Sequence, residues 1–345
     1  MKILLSLLLI AIYQPTNATE LKSLLDSKSF NKICSKAMKF QKVKIPGTSE
    51  EKEGYLTARP LFSESGNYLY VVMRDLSSNT KNYKITKLKK GSESKEVSVS
   101  VHEKPVRDII AINNNTLLLL FDDHLVLNNL NENDSVVINI PRSYAFGKND
   151  RAYSMVLKNN TAYVANGTEG IAKINLKTKE TSTIDLGLVQ STGHYSIAVS
   201  VSMTENSNLI VGIDNLTAPN RKSVPFNGFK KVNTLNNQVF NYPYNKKTSG
   251  VLVRVAKTII DKDTLWINNW GTVQTVNLSK FDKEKAIKAN WFRTVVNDET
   301  GNWHYQPLGD FFILDNHFYS CAKKTDMDAY TQVKDESVMY KAKIN

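Results

Sequence analysis

The sequence predicts an all-β chain folded as a single β-propeller, most simply of six blades with seven as the alternative. Three observations lead there. A hairpin pattern recurs six times, strand-type alternation of apolar and polar residues dominates from about residue 54 onward, and helical periodicity is nearly absent.

The repeated unit is an apolar strand that runs into a tight polar turn and out into a second apolar strand. Its copies fall at 61–71, 109–120, 155–164, 199–211, 258–267 and 311–320. With Asn67, Asn115, Asn160, Ser207, Asp263 and Asn316 as equivalent turn positions, the intervals are 48, 45, 47, 56 and 53 residues. Four strands with their turns need about that length. A lone blade cannot bury both of its faces, so blades of this size stack around an axis, whereas a solenoid requires a shorter and more uniform period.

The last copy supplies three strands, at 311–315, 317–322 and 336–344. The segment 39–45, with Phe40, Val43 and Ile45 apolar, is expected to add the fourth, closing the ring and hiding an edge. That placement is also expected to carry Cys34 toward Cys321. In an oxidising compartment the two would form a disulfide, restricting the unfolded chain by roughly 4–5 kcal/mol. Ahead of the ring, residues 1–18 read as a signal peptide cleaved after Ala18: Lys2, an apolar run from Ile3 to Tyr13, then a small-residue end. The run is shorter than the roughly 20 residues that span a bilayer, so stable membrane insertion is not expected. Residues 19–37 read as a helical segment, 38–345 as the propeller, and a short helical turn is expected at 280–289. The mature chain is expected in the periplasm or secreted, as a monomer.

The formal net charge is +12, or +11 once Lys2 is removed, with no block of five like charges. Such a surface is a solvated basic face that favours anionic partners at long range. Nucleic acid is not an expected partner, because no helix-turn-helix, zinc-finger or RNA-binding signature occurs.

Over 163–180, Tyr163-Val164-Ala165-Asn166-Gly167-Thr168-Glu169-Gly170-Ile171-Ala172-Lys173-Ile174-Asn175-Leu176 and its continuation resemble the blade repeat of bacterial YVTN-type and LVIVD-type propellers. Residues 63–71 resemble the turn of those repeats. The other copies keep only the apolar strand, as in Leu117 to Leu120 and Trp266-Ile267-Asn268. The resemblance implies a propeller and does not choose among carriers, scaffolds, surface proteins and enzymes.

Chemistry is expected at a mouth of the central channel, where the innermost strands begin. Arg59 and Arg107 each stand eight residues before their turn position, and Arg151 and Arg254 each nine, which places half of the eight arginines on inner strands. Converging there, they would bind carboxylate, phosphate or sulfate through paired hydrogen bonds; otherwise each pairs with a local acid. Tyr153, His194 and Tyr195 open inner strands too and join the ligand-binding set. A catalytic role for His194 lacks a nucleophile elbow and an orienting acid. The five histidines show no metal-binding spacing, and Asp261-Lys262-Asp263 and Asp326-Met327-Asp328 do not continue into calcium loops. No cofactor is therefore expected. The alternative, a calcium-dependent lactonase or hydrolase of the six-bladed kind, would draw on Asp214, Asn215 and Asn268. Residues 218–247, rich in Asn, Pro, Lys and aromatics, read as an insertion for a partner. The function expected is non-catalytic: holding an anionic small molecule or an extracytoplasmic protein.

Overall fold

The structure is a computed structural model. It describes residues 36–43, 55–74, 82–89, 97–132, 134–142, 150–190, 193, 195–214, 228–243, 257–268, 272–281, 290–297, 303–305, 311–314, 316–323 and 337–344.

Six blades are present, each an antiparallel meander built outward from an inner strand. Blade 1 is β2 (Tyr55–Ser65), β3 (Tyr68–Arg74), β4 (Tyr83–Lys89) and β5 (Val97–His102). Blade 2 is β6 (Asp108–Asn113), β7 (Thr116–Leu120), β8 (His124–Asn129) and β9 (Asp134–Asn139). Blade 3 is β10 (Ser154–Lys158), β11 (Thr161–Ala165), β12 (Ile171–Asn175) and β13 (Thr181–Ile184). Blade 4 is β14 (Ile197–Met203), β15 (Asn208–Asp214), β16 (Gly228–Asn233) and β17 (Val239–Pro243). Blade 5 is β18 (Lys257–Asp261), β19 (Thr264–Asn268), β20 (Thr272–Asn277) and β21 (Asn290–Asn297), with β22 (Trp303–Tyr305) paired to β21. Blade 6 is β23 (Phe311–Leu314), β24 (His317–Lys323), β25 (Ser337–Lys343) and, from the other end of the chain, β1 (Lys36–Val43). The inner strands β2, β6, β10, β14, β18 and β23 pack in a closed cycle, since β23 also meets β2.

The six turn positions read from the sequence are the six hairpins that join inner strands to their neighbours. Five of these hairpins hold one residue in the left-handed region: Gly66 (φ 53°), Asn159 (54°), Ser207 (62°), Lys262 (52°) and Asn316 (56°). Gly66 and the asparagines suit it because glycine lacks a Cβ and asparagine tolerates that region. A second regularity went unread. The carbonyls of Asn115, Asn160, Asp263 and Asn316 accept N–H bonds from Leu130, Leu176, Leu278 and Ile344, the residues that follow the third strands of their blades.

Packing between blades follows the period of two. Leu117 and Leu119 face blade 1 with Leu61, Tyr70 and Ile85, while Leu118 and Leu120 face blade 3 with Met155, Ala162 and Val164. All four leucines are fully buried. A strand covered on both sides reads as a continuous apolar run, and each such leucine contributes about 1.5–3 kcal/mol. Similar clusters join blade 3 to 4, 4 to 5 and 5 to 6.

The ring-closing strand is present and does more than expected. Gln41, Lys42 and Val43 pair antiparallel with Lys341, Tyr340 and Met339 of β25, as the sequence implied. Lys36 to Phe40 also pair in parallel with Phe292 to Val296 of β21. One strand therefore covers the outer edges of two blades, with Met38 packed among Trp266, Val273, Phe318 and Ala342 from both.

Cys321 is opposite Met339, and Met339 is opposite Val43, so Cys321 is level with the far end of β1 from Lys36. Cys34 lies outside the described residues. The strand also begins at Lys36, inside the segment read as helical; residues 1–35 and 282–289 lie outside the described set, which includes the four-residue 3-10 turn Leu278–Phe281. Of the stretch read as an insertion, 228–243 instead forms β16 and β17. No helix among the described residues is long and apolar enough to cross a membrane.

Candidate functional site

Inner strands start, and second strands end, at one face of the ring. Asp108 is opposite Leu120, Ser154 opposite Ala165, Ile197 opposite Asp214 and Lys257 opposite Asn268. The mouth singled out in the sequence is this face.

Arg107 enters β6 with its N–H bonded to Leu120 O (2.7 Å). Its side chain grips Asp122 through Nε to Oδ1 (2.6 Å) and Nη2 to Oδ2 (3.2 Å), leaving Nη1 without a partner among the described residues. The pair is part exposed, 20% for the arginine and 47% for the acid. Arg151 enters β10 with its guanidinium 5.3 Å from the centre of the Tyr153 ring. Tyr153 is buried in the blade 4–blade 5 core beside Ile197 and Phe229, and Tyr195 packs against the same cluster. The Tyr153 ring is thus the packed floor beside Arg151. Arg59 is on β2, whose pairing shifts between Leu56 and Leu61; its side chain, with Arg254 and His194, lies outside the described residues. Of the set proposed for calcium, Asp214 ends β15, Asn268 ends β19 and is 3% exposed, and Asn215 lies outside the described residues. Among the described residues no three His, Cys, Asp or Glu side chains gather as a metal-binding group.

Two features at this face escaped the sequence reading. Arg142 and Asp150 form a fully buried ion pair, Nη2 to Oδ1 3.3 Å, with each side chain 1% exposed. Arg142 also donates to Asp122 O (2.6 Å), while Asp150 accepts from Thr168 N (2.8 Å) and Thr168 Oγ1 (2.7 Å). The loop that carries Thr168 approaches so closely that a Cβ at Gly167 would lie 2.2 Å from Asp150 Oδ1, and Gly167 has φ 58°. The Asn-Gly-Thr of the propeller-like motif is therefore explained by fit. It seats one blade's second turn on the acid that leads into its own inner strand.

The second feature lies where blade 1 meets blade 2. Phe121 stacks on His124 (4.7 Å between centres, 8°) and meets the edge of His102 (5.3 Å, 61°). His124 Nδ1 is 2.5 Å from Asp123 Oδ1, and His102 Nε2 is 2.8 Å from Ser100 Oγ. Burial, and then the positive charge of His124, hold His102 below the usual histidine range. The hydrogen bond from His124 holds the Asp123 carboxyl low. Only the three-dimensional approach of two distant histidines to one phenylalanine makes this cluster.

No protein-family model matches the chain, and no curated protein sequence does. Solved structures do. A protein of unknown function from Bacteroides thetaiotaomicron superposes with a TM-score of 0.52 at 10% identity, covering 88% of this chain and 75% of that one. BamB from Moraxella catarrhalis gives 0.39 at 11% identity, over 81% and 71%. The extracellular domain of a protein described as a one-component system from B. thetaiotaomicron gives 0.48 at 11% identity, over 84% and 39%. Identities this low speak for the fold alone, and the six-bladed β-propeller is that fold.

Proposed function

We propose that this propeller is an exported, non-catalytic interaction module whose channel mouth holds an anionic ligand or the anionic patch of a protein partner. The observation that supports it is the paired entry of Arg107 and Arg151 into successive inner strands at one face. Arg107 keeps Nη1 available beyond its bond to Asp122, and Arg151 is stiffened by the Tyr153 ring beneath it. A pre-oriented guanidinium loses little freedom on forming a forked bond to a carboxylate or phosphate. The surrounding surface draws anions in, since the chain's formal net charge of +12 is still strongly positive once the leader with Lys2 is removed. In this reading the YVTN-like segment contributes blade geometry rather than contacts, and the leader at 1–18 takes the chain out of the cytoplasm.

Titration calorimetry with pyrophosphate at low salt tests the site. Binding is expected to weaken as salt is added and to fall at least fivefold in Arg107→Gln and in Arg151→Gln. Equal affinity in both variants and the native chain would remove the mouth as the binding site.

A further inference from the structure

Six outer blade edges close or remain open in different ways; β5 of blade 1 and β9 of blade 2 are both six residues long without proline, lysine or arginine, with Val101 57% and Val137 58% exposed, and β9 is set apart by the two acids at its start. The edges of blades 5 and 6 are covered by β1, which adds to β21 in parallel and to β25 antiparallel. This chain's blade edges thus take an extended segment in either direction. The edge of blade 4 ends on Pro243, which has no N–H to offer. The edge of blade 3 is four residues long and follows the exposed Lys177, Lys179 and Glu180. Short strands, proline and charge are the usual protections of an open edge.

β9 of blade 2 is neither short nor interrupted by proline, and its charges, Glu132 and Asp134, stand only at its start. It is six residues long, Asp134-Ser135-Val136-Val137-Ile138-Asn139, without proline, lysine or arginine, and it pairs only with β8 among the described residues. Ile140 donates its N–H to Asp123 O (2.9 Å), and antiparallel bonding alternates. Ile138, Val136 and Asp134 therefore bond to β8, while Ser135, Val137 and Asn139 turn their N–H and C=O groups outward. Val137, at the middle of that open row, is 58% exposed. At its start the strand has two exposed acids, Glu132 and Asp134, with no lysine or arginine between residues 108 and 141.

From this edge we infer a docking site for an extended, lysine- or arginine-bearing segment of a protein partner, which adds to β9 as a fifth strand of blade 2. Main-chain bonds to Ser135, Val137 and Asn139 supply affinity, an apolar side chain of the partner covers Val137, and its cations meet Glu132 and Asp134. The inference deepens the interaction role proposed above but uses a different face, so either can fail alone.

The probe is a fluorescein-labelled ten-residue peptide alternating lysine and valine, followed by fluorescence anisotropy on the full chain, with a glutamate–valine peptide as control. Binding is expected for the lysine peptide, at least tenfold weaker for the glutamate peptide. Val137→Pro removes an outward N–H together with the exposed valine side chain and is expected to abolish binding. Glu132→Gln with Asp134→Asn leaves that backbone intact and is expected to weaken it about fivefold and to flatten its salt dependence. Circular dichroism reports whether each variant is folded. Should Val137→Pro fail to fold, Val137→Lys serves instead, because a charge on the edge repels the same peptide. Equal binding of both peptides, or unchanged binding in the charge-neutral variant and in the folded Val137 variant, would overturn the inference. Retained peptide binding in Arg151→Gln separates this edge from the channel mouth.

Discussion

Blades 1 to 4 and the closing pair of blades 5 and 6 are joined by different chemistry. In the first group, a polar side chain on one inner strand accepts a backbone N–H from the next: Ala111 to Ser63 Oγ (2.7 Å), Met155 to Asp108 Oδ2 (2.9 Å) and Val201 to Ser154 Oγ (2.9 Å). Between blades 4 and 5 the polar link is among hydroxyls, with Thr258 Oγ1 3.2 Å from Ser200 Oγ and 2.8 Å from Ser202 Oγ, beside the apolar cluster of the two blades. Where blade 6 meets blade 1 the joint is aromatic, Phe62 on Phe312 (4.1 Å, 18°) and Phe312 on Tyr319 (5.1 Å, 28°), with Lys341 over the Tyr319 ring. At the outer rim, β1 fastens blade 5 to blade 6. Consecutive blades are held close by short connections and need only a directional bond to fix their register. Blade 6 is tied to blade 1 as well, since the chain runs from β1 to β2 through residues 44–54, and closure adds apolar area and the strand taken from the start of the chain.

The sharpest way to break this division is at the buried pair beside the mouth. Asp150→Ala leaves Arg142 charged in the interior and is expected to cost about 3–5 kcal/mol of stability, measured by urea unfolding; a loss under about 1 kcal/mol would mean that the pair is wet. Next is the closing seam. Phe62→Ala is expected to cost about 3 kcal/mol and, if closure is a separate joint, to raise protease sensitivity in blades 1 and 6 before blade 3. Asp108→Ala strands the Met155 N–H and is expected to cost about 1–3 kcal/mol, with Ser154→Ala smaller at about 1 kcal/mol. Equal losses at Phe62 and Ser154 would erase the distinction between seams.

The smallest expected effect is pH dependence at the joint of blades 1 and 2. His102 is held below its unfolded value, so the unfolded chain binds more protons there as pH falls. Stability from this group is complete above the usual histidine range and is lost as pH drops through about 6.5 and below. His102→Gln is expected to flatten the melting temperature against pH in that window, and an unchanged profile would show that His102 titrates freely. A separate observation concerns the cysteines. Mass spectrometry of the unreduced protein is expected to find the Cys34 and Cys321 peptides joined, and free thiols at both positions would remove the bridge.

Blade number was legible because each hairpin needs a turn residue of restricted type, and that need repeats at every blade. Asn159 and Asn316 stand in the left-handed region for that reason, and the run Leu117 to Leu120 shows a strand buried on both sides. The mouth was legible only as a position. The spacing put Arg107 and Arg151 on inner strands, whereas they stand one and three residues before β6 and β10, and Asp122 and the Tyr153 ring beside their guanidiniums came from the fold. The histidines at 102 and 124 gave no signal, since neither has a partner of suitable spacing on its own strand.

By itself the sequence determined that the chain forms six small sheets and that a segment near residue 40 completes the last of them. Those properties depend on local alternation and on turn residues, which are written along the chain. Only the tertiary structure decided that β1 serves two blades and that Arg142 is buried against Asp150. Each depends on which residues meet across distant parts of the ring, and periodicity fixes faces of strands without fixing which face finds which neighbour.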